Sequence, residues 1–220
     1  MIIQVDLLNT QQVMDVRRRL ERAPFGDGRA TAGPAAESVK SNEQARGDDQ
    51  EVRALASLVR TAVEVHPVVR SLVRPMRWSS MMFSRYAPGH HYGAHTDNAI
   101  MEDDTGWPLR TDVSFTLFLS DPKSYDGGAL LIQDTGGDRV FKPKAGSAVF
   151  YATSQVHQVS QVTRGTRLAC VGWVQSHIRR PDQREILFDL EQVRSGTENA
   201  GAAFLLDKTI GNLIRMWGGI

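Results

Sequence analysis

Residues 156–175, VHQVSQVTRGTRLACVGWVQ, carry the pattern that decides how this chain folds. Val156, Val159 and Val162 punctuate the first half, and the second half is dense in apolar and β-branched residues, so the spacing predicts strands over Val156–Val162 and Thr166–Gln175. Thr163, Arg164 and Gly165 between them have the length of a three-residue hairpin loop, with glycine available for the left-handed position. In that register Val162 pairs with Thr166, Gln161 with Arg167 and His157 with Val171. Opposed residues share a face, so His157, Gln161 and Arg167 are expected to point the same way, with Arg167 roughly 13 Å along the sheet from His157.

Outward from this hairpin the same texture continues. Strand-like runs cover Trp78–Tyr86, Asp112–Leu119, Ala129–Gln133, Arg139–Lys142 and Ser147–Tyr151, separated by APGHH, SDPKSYDGG, DTGGD and KPKAG. Many short strands with Gly/Pro turns point to a sandwich or barrel of the jelly-roll kind. Helices flank it. Asn9 or Thr10 can cap a helix that ends before Pro24. A second helix starts at Asp48, carries Val52, Leu55, Leu58, Val59 and Val63 at helical spacing, and is stopped or broken at Pro67 beside a helix-end His66. REILFDLEQV and AAFLLDKTIGNLIRMW read as two C-terminal helices parted near Asn199–Gly201. The fold class is therefore mainly β with flanking helices (α+β). Residues 1–75 form an N-terminal helical segment, 76–178 a β core and 179–220 a C-terminal helical segment. Phe25–Gly47, rich in Gly, Ala, Asp and Ser, reads as a long loop: a substrate lid or a mobile connection. Phe204, Leu205, Leu206, Leu213, Ile214 and Trp217 make the last helix amphipathic, either covering the core or giving a homo-oligomer contact.

Composition narrows the functional classes. With 41% hydrophobic and 23% charged residues among 220, the chain is an ordinary globular one. A formal net charge of +1 gives no electrostatic reason to expect nucleic acid or a membrane surface as partner. The single cysteine, Cys170, rules out an internal disulfide and lies in an apolar run, as a buried structural thiol does. Without a basic-then-apolar leader or an apolar run near ~18 residues, a cytoplasmic protein is expected.

Chemistry concentrates in RYAPGHHYGAHTDN, residues 85–98. His95 and Asp97 are one residue apart, so on a strand both side chains face the same way. An imidazole and a carboxylate so placed are two arms of a 2-His-1-carboxylate triad, which suits iron(II) and leaves positions open for an organic co-substrate and dioxygen. His157 is the natural third ligand; alone it would read as a satisfied core histidine. Arg167, ten residues on, could grip the far carboxylate of a five-carbon diacid whose near end chelates the metal, since arginine stays charged and binds carboxylates bidentately. His90 and His91 read as turn residues, His177 as structural, Lys142 and Lys144 as a solvated turn, and Phe115, Phe118 and Trp173 as core.

His-x-Asp, a later His and an Arg ten residues beyond it are what 2-oxoglutarate-dependent oxygenases display. Tyr86-x-x-Gly89-x-x-Tyr92-x-x-His95-x-Asp97 resembles the motif of the prolyl and lysyl hydroxylase branch. The whole chain resembles the bacterial PKHD-type hydroxylases associated with iron uptake, including DGRATAGPAAESVKSNEQ near the N-terminus and RRPDQREILFDL near the C-terminus. The resemblance implies a double-stranded β-helix, iron(II) at His95, Asp97 and His157, 2-oxoglutarate at Arg167, dioxygen as second co-substrate and L-ascorbate as supporting reductant. It implies hydroxylation with formation of succinate and CO2. The substrate stays open between a peptidyl Pro or Lys, a free amino acid and a siderophore-like small molecule. Tyr86 or Tyr92 could donate a hydrogen bond to the co-substrate, as tyrosines near this motif do in related hydroxylases; each also reads as a packing aromatic. Two rivals use the same residues: a zinc-dependent hydrolase or isomerase, which leaves Arg167 unexplained, and a degenerate oxygenase that only senses its ligands.

Overall fold

The computed structural model describes residues 1–219, the side chains of Pro34 and Ala35 excepted. Two antiparallel sheets carry it. The larger runs in the order Ile2–Asp6, Ser147–Ala152, Val113–Phe118, Arg167–Ser176, Met82–Tyr86, Glu43–Ala45, Phe25–Asp27, with Pro75–Trp78 also paired to the long strand Arg167–Ser176. The smaller runs Arg139–Phe141, Leu130–Ile132, His157–Val159, His91–His95, Lys40–Ser41. Strands that cross repeatedly between two sheets are the double-stranded β-helix expected from the strand pattern and the resemblance.

The alternation of side chains along the central strands explains the layering. In Val113–Phe118 every residue is buried. Val113, Phe115 and Leu117 join the main apolar cluster with Phe83, Ala148, Phe150, Leu168 and Cys170, whereas Ser114 and Thr116 line the cleft. Helices Thr10–Leu20 and Gln50–Val65 close that cluster with Val13, Val16, Leu20, Val52, Leu55, Val59 and Val63. Both helices start as anticipated. Asn9 makes a reciprocal capping box with Gln12, and the Asp49 carboxylate accepts from the Glu51 and Val52 amides. Pro67 breaks the second helix and opens a short one, Pro67–Leu72. Cys170 is fully buried.

The helices Pro181–Ser195 and Ala200–Trp217 make a separate cluster in which Leu187, Ile210 and Ile178 are buried against Leu213, Ile214 and Trp217. Arg74 and Ser71 bond Glu191 and tie this pair to Pro67–Leu72. Phe204, Leu205 and Met216 are exposed. Among the described residues no helix is long and apolar enough to cross a membrane.

Two expectations need correction. The hairpin does not exist. His157–Val159 pairs with Leu130–Ile132 and His91–His95, while Arg167–Ser176 pairs with strands of the other sheet. Between them Val162–Arg164 pairs with Asp126–Gly127, and Gly165, at φ +72°, turns the chain from one sheet to the other. A Cβ there would strike the Ser124 carbonyl, so the glycine serves a crossover. Gln161 consequently points outward, donating to the Gly89 carbonyl at 3.2 Å. The second correction concerns Phe25–Gly47, which is not a loop. It holds strands Phe25–Asp27, Lys40–Ser41 and Glu43–Ala45, a 3-10 turn Gly28–Thr31 and a helical turn Pro34–Glu37. Each strand is two or three residues long and depends on the sheet edge it joins, so no local period announces it.

Candidate active site

The cleft between the sheets is lined from three sides. The smaller sheet supplies Tyr92, His95, His157 and Val159. The larger supplies Ser84, Tyr86, Ser114, Thr116, Arg167, Val171 and Trp173, and the segment from Thr31 to Gln44 roofs one end.

His95 and His157 are directly opposed across neighbouring antiparallel strands. The register then shifts, so that Val159 opposes Tyr92, and this bulge turns Tyr92 and His95 to the same side. Their rings stack 3.6 Å apart at 18°. The strand ends at His95, and Asp97 lies just beyond it, so strict alternation is not what brings the carboxylate in. The three donor groups nonetheless converge: ligand atoms of His95, Asp97 and His157 all lie within 4.8 Å of one another. His95 Nε2 is 3.9 Å from Asp97 Oδ1, and His157 Nε2 is 3.6 Å from Asp97 Oδ2. An ion about 2.1 Å from each donor allows separations up to about 4.2 Å, so both histidine–carboxylate spacings fit a shared metal.

The surroundings fix how each donor is presented. His95 Nδ1 lies 2.7 Å from the Gly93 carbonyl and His157 Nδ1 lies 3.0 Å from the Gln155 carbonyl. A carbonyl only accepts, so both Nδ1 atoms carry the proton and both Nε2 lone pairs face the cleft. Burial above all, then the neighbouring His157, pushes the His95 imidazole below its usual range, which favours its neutral form. Asp97 Oδ2 accepts from the Ser114 hydroxyl at 2.8 Å, itself 3.0 Å from Thr153 Oγ1. Tyr151 leans on the His157 ring at 4.9 Å.

Arg167 is 1% exposed and opposes Tyr86 across two strands of the larger sheet. Its guanidinium sits 5.0 Å from the Tyr86 ring and 5.2 Å from Phe118, and its Nε has no hydrogen-bond partner. Among the described residues it forms no ion pair. A buried guanidinium left this way is costly unless an anion completes it. Gly128, at φ +63°, makes room: a Cβ there would lie 3.0 Å from Arg167 Cδ.

All six residues singled out in the sequence line this one cleft: His95, Asp97, His157, Arg167, Tyr86 and Tyr92. His90, His91 and His177 do not. Lys142 is more than a solvated turn residue, since its ammonium donates to the Tyr125 carbonyl at 2.8 Å over the Tyr125 ring. Sequence reading missed Lys40, Asn42 and Gln44, all buried. No local signal marked them, because the strands on either side of Asn42 are only two and three residues long.

Residues 81–175 match the family model of the 2OG-Fe(II) oxygenase superfamily. A PKHD-type hydroxylase of Maricaulis maris is 47% identical over 212 residues, 94% of each chain. One of Synechococcus elongatus is 44% identical over 222 residues, 99% of each chain. A prolyl-4-hydroxylase of Pseudomonas putida superposes with TM-score 0.50 at 23% identity, covering 80% of this chain and 92% of its own. A Trichoplax adhaerens prolyl hydroxylase, solved with a hypoxia inducible factor oxygen degradation domain peptide fragment, gives 0.58 at 14% identity over 84% and 86%. At these identities the solved structures share the fold.

Proposed function

This chain belongs to the PKHD-type hydroxylases of the 2OG-Fe(II) oxygenase superfamily, and from that premise we propose that His95, Asp97 and His157 hold its iron(II) and Arg167 its 2-oxoglutarate. The observation that carries the reading is the meeting of two complementary groups in one cleft. Three convergent donors suit a cation, and a buried guanidinium with no ion pair among the described residues suits an anion. A five-carbon diacid chelating the metal at one end and meeting Arg167 at the other satisfies both.

When bound, the iron(II) and 2-oxoglutarate activate dioxygen, which delivers one atom to a substrate C–H bond as hydroxyl and the other to succinate, with loss of CO2. The chain's own groups set the conditions. The two Nδ1–H···O=C bonds fix the tautomer of each imidazole and aim its Nε2 into the cleft. Ser114 orients the Asp97 carboxylate through a charge-assisted bond. Tyr86, against the guanidinium, and Tyr92, stacked on His95, exclude water from the co-substrate's two ends. Ascorbate serves as the supporting reductant. The substrate is a small molecule or a peptidyl side chain.

The test is succinate formation by purified protein with iron(II), 2-oxoglutarate and ascorbate. A screen of iron-limited cell extract for products heavier by one oxygen, wild type against His157→Ala, then identifies the substrate. No succinate under any of these conditions, coupled or uncoupled, would sink the hydroxylase reading.

A further inference from the structure

A second buried cation faces the cleft, and neither the metal nor the co-substrate accounts for it. Lys40 is 6% exposed. Its ammonium donates to Thr31 Oγ1 at 3.0 Å and lies 5.1 Å from the centre of the Tyr92 ring, the ring that stacks on His95. Among the described residues it forms no ion pair; the one lysine that does is Lys144, with Asp6. Two of its three donors are therefore uncommitted. Asn42, 5% exposed, has both amide atoms buried, with its side chain beside the Tyr86 hydroxyl. Gln44, the next residue in the alternation, is already spent on Thr31 and Ser84.

The backbone explains why these groups meet the cleft. Lys40–Ser41 pairs with Tyr92 and His91 at the edge of the smaller sheet, and Glu43–Ala45 pairs with Arg85 and Ser84 in the larger. The chain thus straps the two sheets together, with Asn42 at the crossing. Close packing holds it there: a Cβ at Gly93 would come 2.8 Å from Val39 Cβ. Burial lowers the Lys40 ammonium to about 8, while Asp97 and then Asp27 pull it back up.

Charge balance then decides what is missing. Iron(II), the Asp97 carboxylate, the two carboxylates of 2-oxoglutarate and the Arg167 guanidinium sum to zero. Lys40 leaves one positive charge over. Resting on the hydroxylase reading above, we infer that Lys40 and Asn42 form a subsite for a carboxylate of the substrate, held one aromatic ring away from the metal ligand His95. The substrate class is an acid, such as a free amino acid or a carboxylate-bearing side chain. A neutral residue within a peptide chain leaves the charge unmet.

The experiment uses protein loaded with manganese(II) and 2-oxoglutarate without oxygen. The probes are N-acetylated proline, lysine and glutamate, each against its primary α-amide, with binding read by ligand-detected NMR. In the wild type at least one acid binds tenfold or more tightly than its amide, about the worth of a charge-assisted hydrogen bond. Lys40→Met abolishes that preference and Asn42→Ala weakens it, while Lys40→Arg keeps it; manganese and 2-oxoglutarate stay bound in all three. Should Lys40→Met misfold, Asn42→Ala decides the same point. The inference is overturned if no acid is preferred, if the preference survives Lys40→Met, or if Lys40→Met loses 2-oxoglutarate instead. Failure of the wild type to bind 2-oxoglutarate with metal is a separate result, and it removes the hydroxylase reading itself.

Discussion

His95 and His157 are directly opposed residues of neighbouring antiparallel strands, their rings 4.3 Å apart. The site is thus built by register: a slip of one residue would send one imidazole to the far face. Asp97, outside the strand, relies instead on the Ser114 hydroxyl at 2.8 Å.

Ser114→Ala is therefore expected to keep the fold and weaken iron(II) binding by about 10- to 100-fold, the usual effect of removing a group that orients a ligand. His157→Ala removes a donor outright and should leave no stoichiometric iron. Anaerobic metal titration separates the two.

His95 and Asp97 were legible as candidate donors because their identities and one-residue spacing are local features of the sequence, whereas His157 was legible only beside them. The relation between His157 and Arg167 was legible only in its outcome. Hairpin parity placed them on one face of one sheet, whereas they face each other from two sheets across the cleft. The loop length allowed a hairpin; what redirected the chain was pairing of Val162–Arg164 with the distant Asp126–Gly127. Lys40 and Asn42 were hidden for a similar reason. The strands on either side of Asn42 are too short to show a period and take their stability from sheet edges contributed by residues 84–85 and 91–92. The N-terminal strand Ile2–Asp6 was missed too, since the strand it pairs with lies far along the chain at Ser147–Ala152.

Arg167→Met should act with opposite signs on two quantities. It relieves a buried guanidinium of its unmet hydrogen bonding, so the ligand-free protein unfolds at equal or higher denaturant. It also removes the anion partner, so 2-oxoglutarate affinity falls by about 100-fold or more, roughly 2.7 kcal/mol. Chemical unfolding and co-substrate titration on the same preparation check both.

Lys40 carries a pH signature. Burial lowers it from 10.5 to about 8, so between those values the unfolded chain binds more protons than the folded one. Stability contributed at this position therefore rises with pH across that window, and the burial penalty is fully present below about 8. Urea unfolding of metal-free wild type should show this slope relative to Lys40→Met, whose stability at neutral pH is equal or greater. Equal slopes in the two proteins would contradict the burial of a charged Lys40.

Gly128→Ala should destabilise the fold by about 1–3 kcal/mol, because the backbone there is left-handed at φ +63°. The added methyl also meets Tyr125 Cε2 at 2.9 Å and Arg167 Cδ at 3.0 Å. Co-substrate affinity is expected to fall alongside stability, whereas Gly136→Ala, where a Cβ meets nothing within 4 Å, should change neither.

The most direct measurement is the visible absorption of the protein mixed anaerobically with iron(II) and 2-oxoglutarate. The wild type should develop a charge-transfer band that needs both components. The band should be absent in Asp97→Ala and His157→Ala, and Arg167→Met should reach it only at much higher 2-oxoglutarate. A wild type without the band, or a band of full strength in His157→Ala, would contradict the assignment of this cleft as the iron and 2-oxoglutarate site.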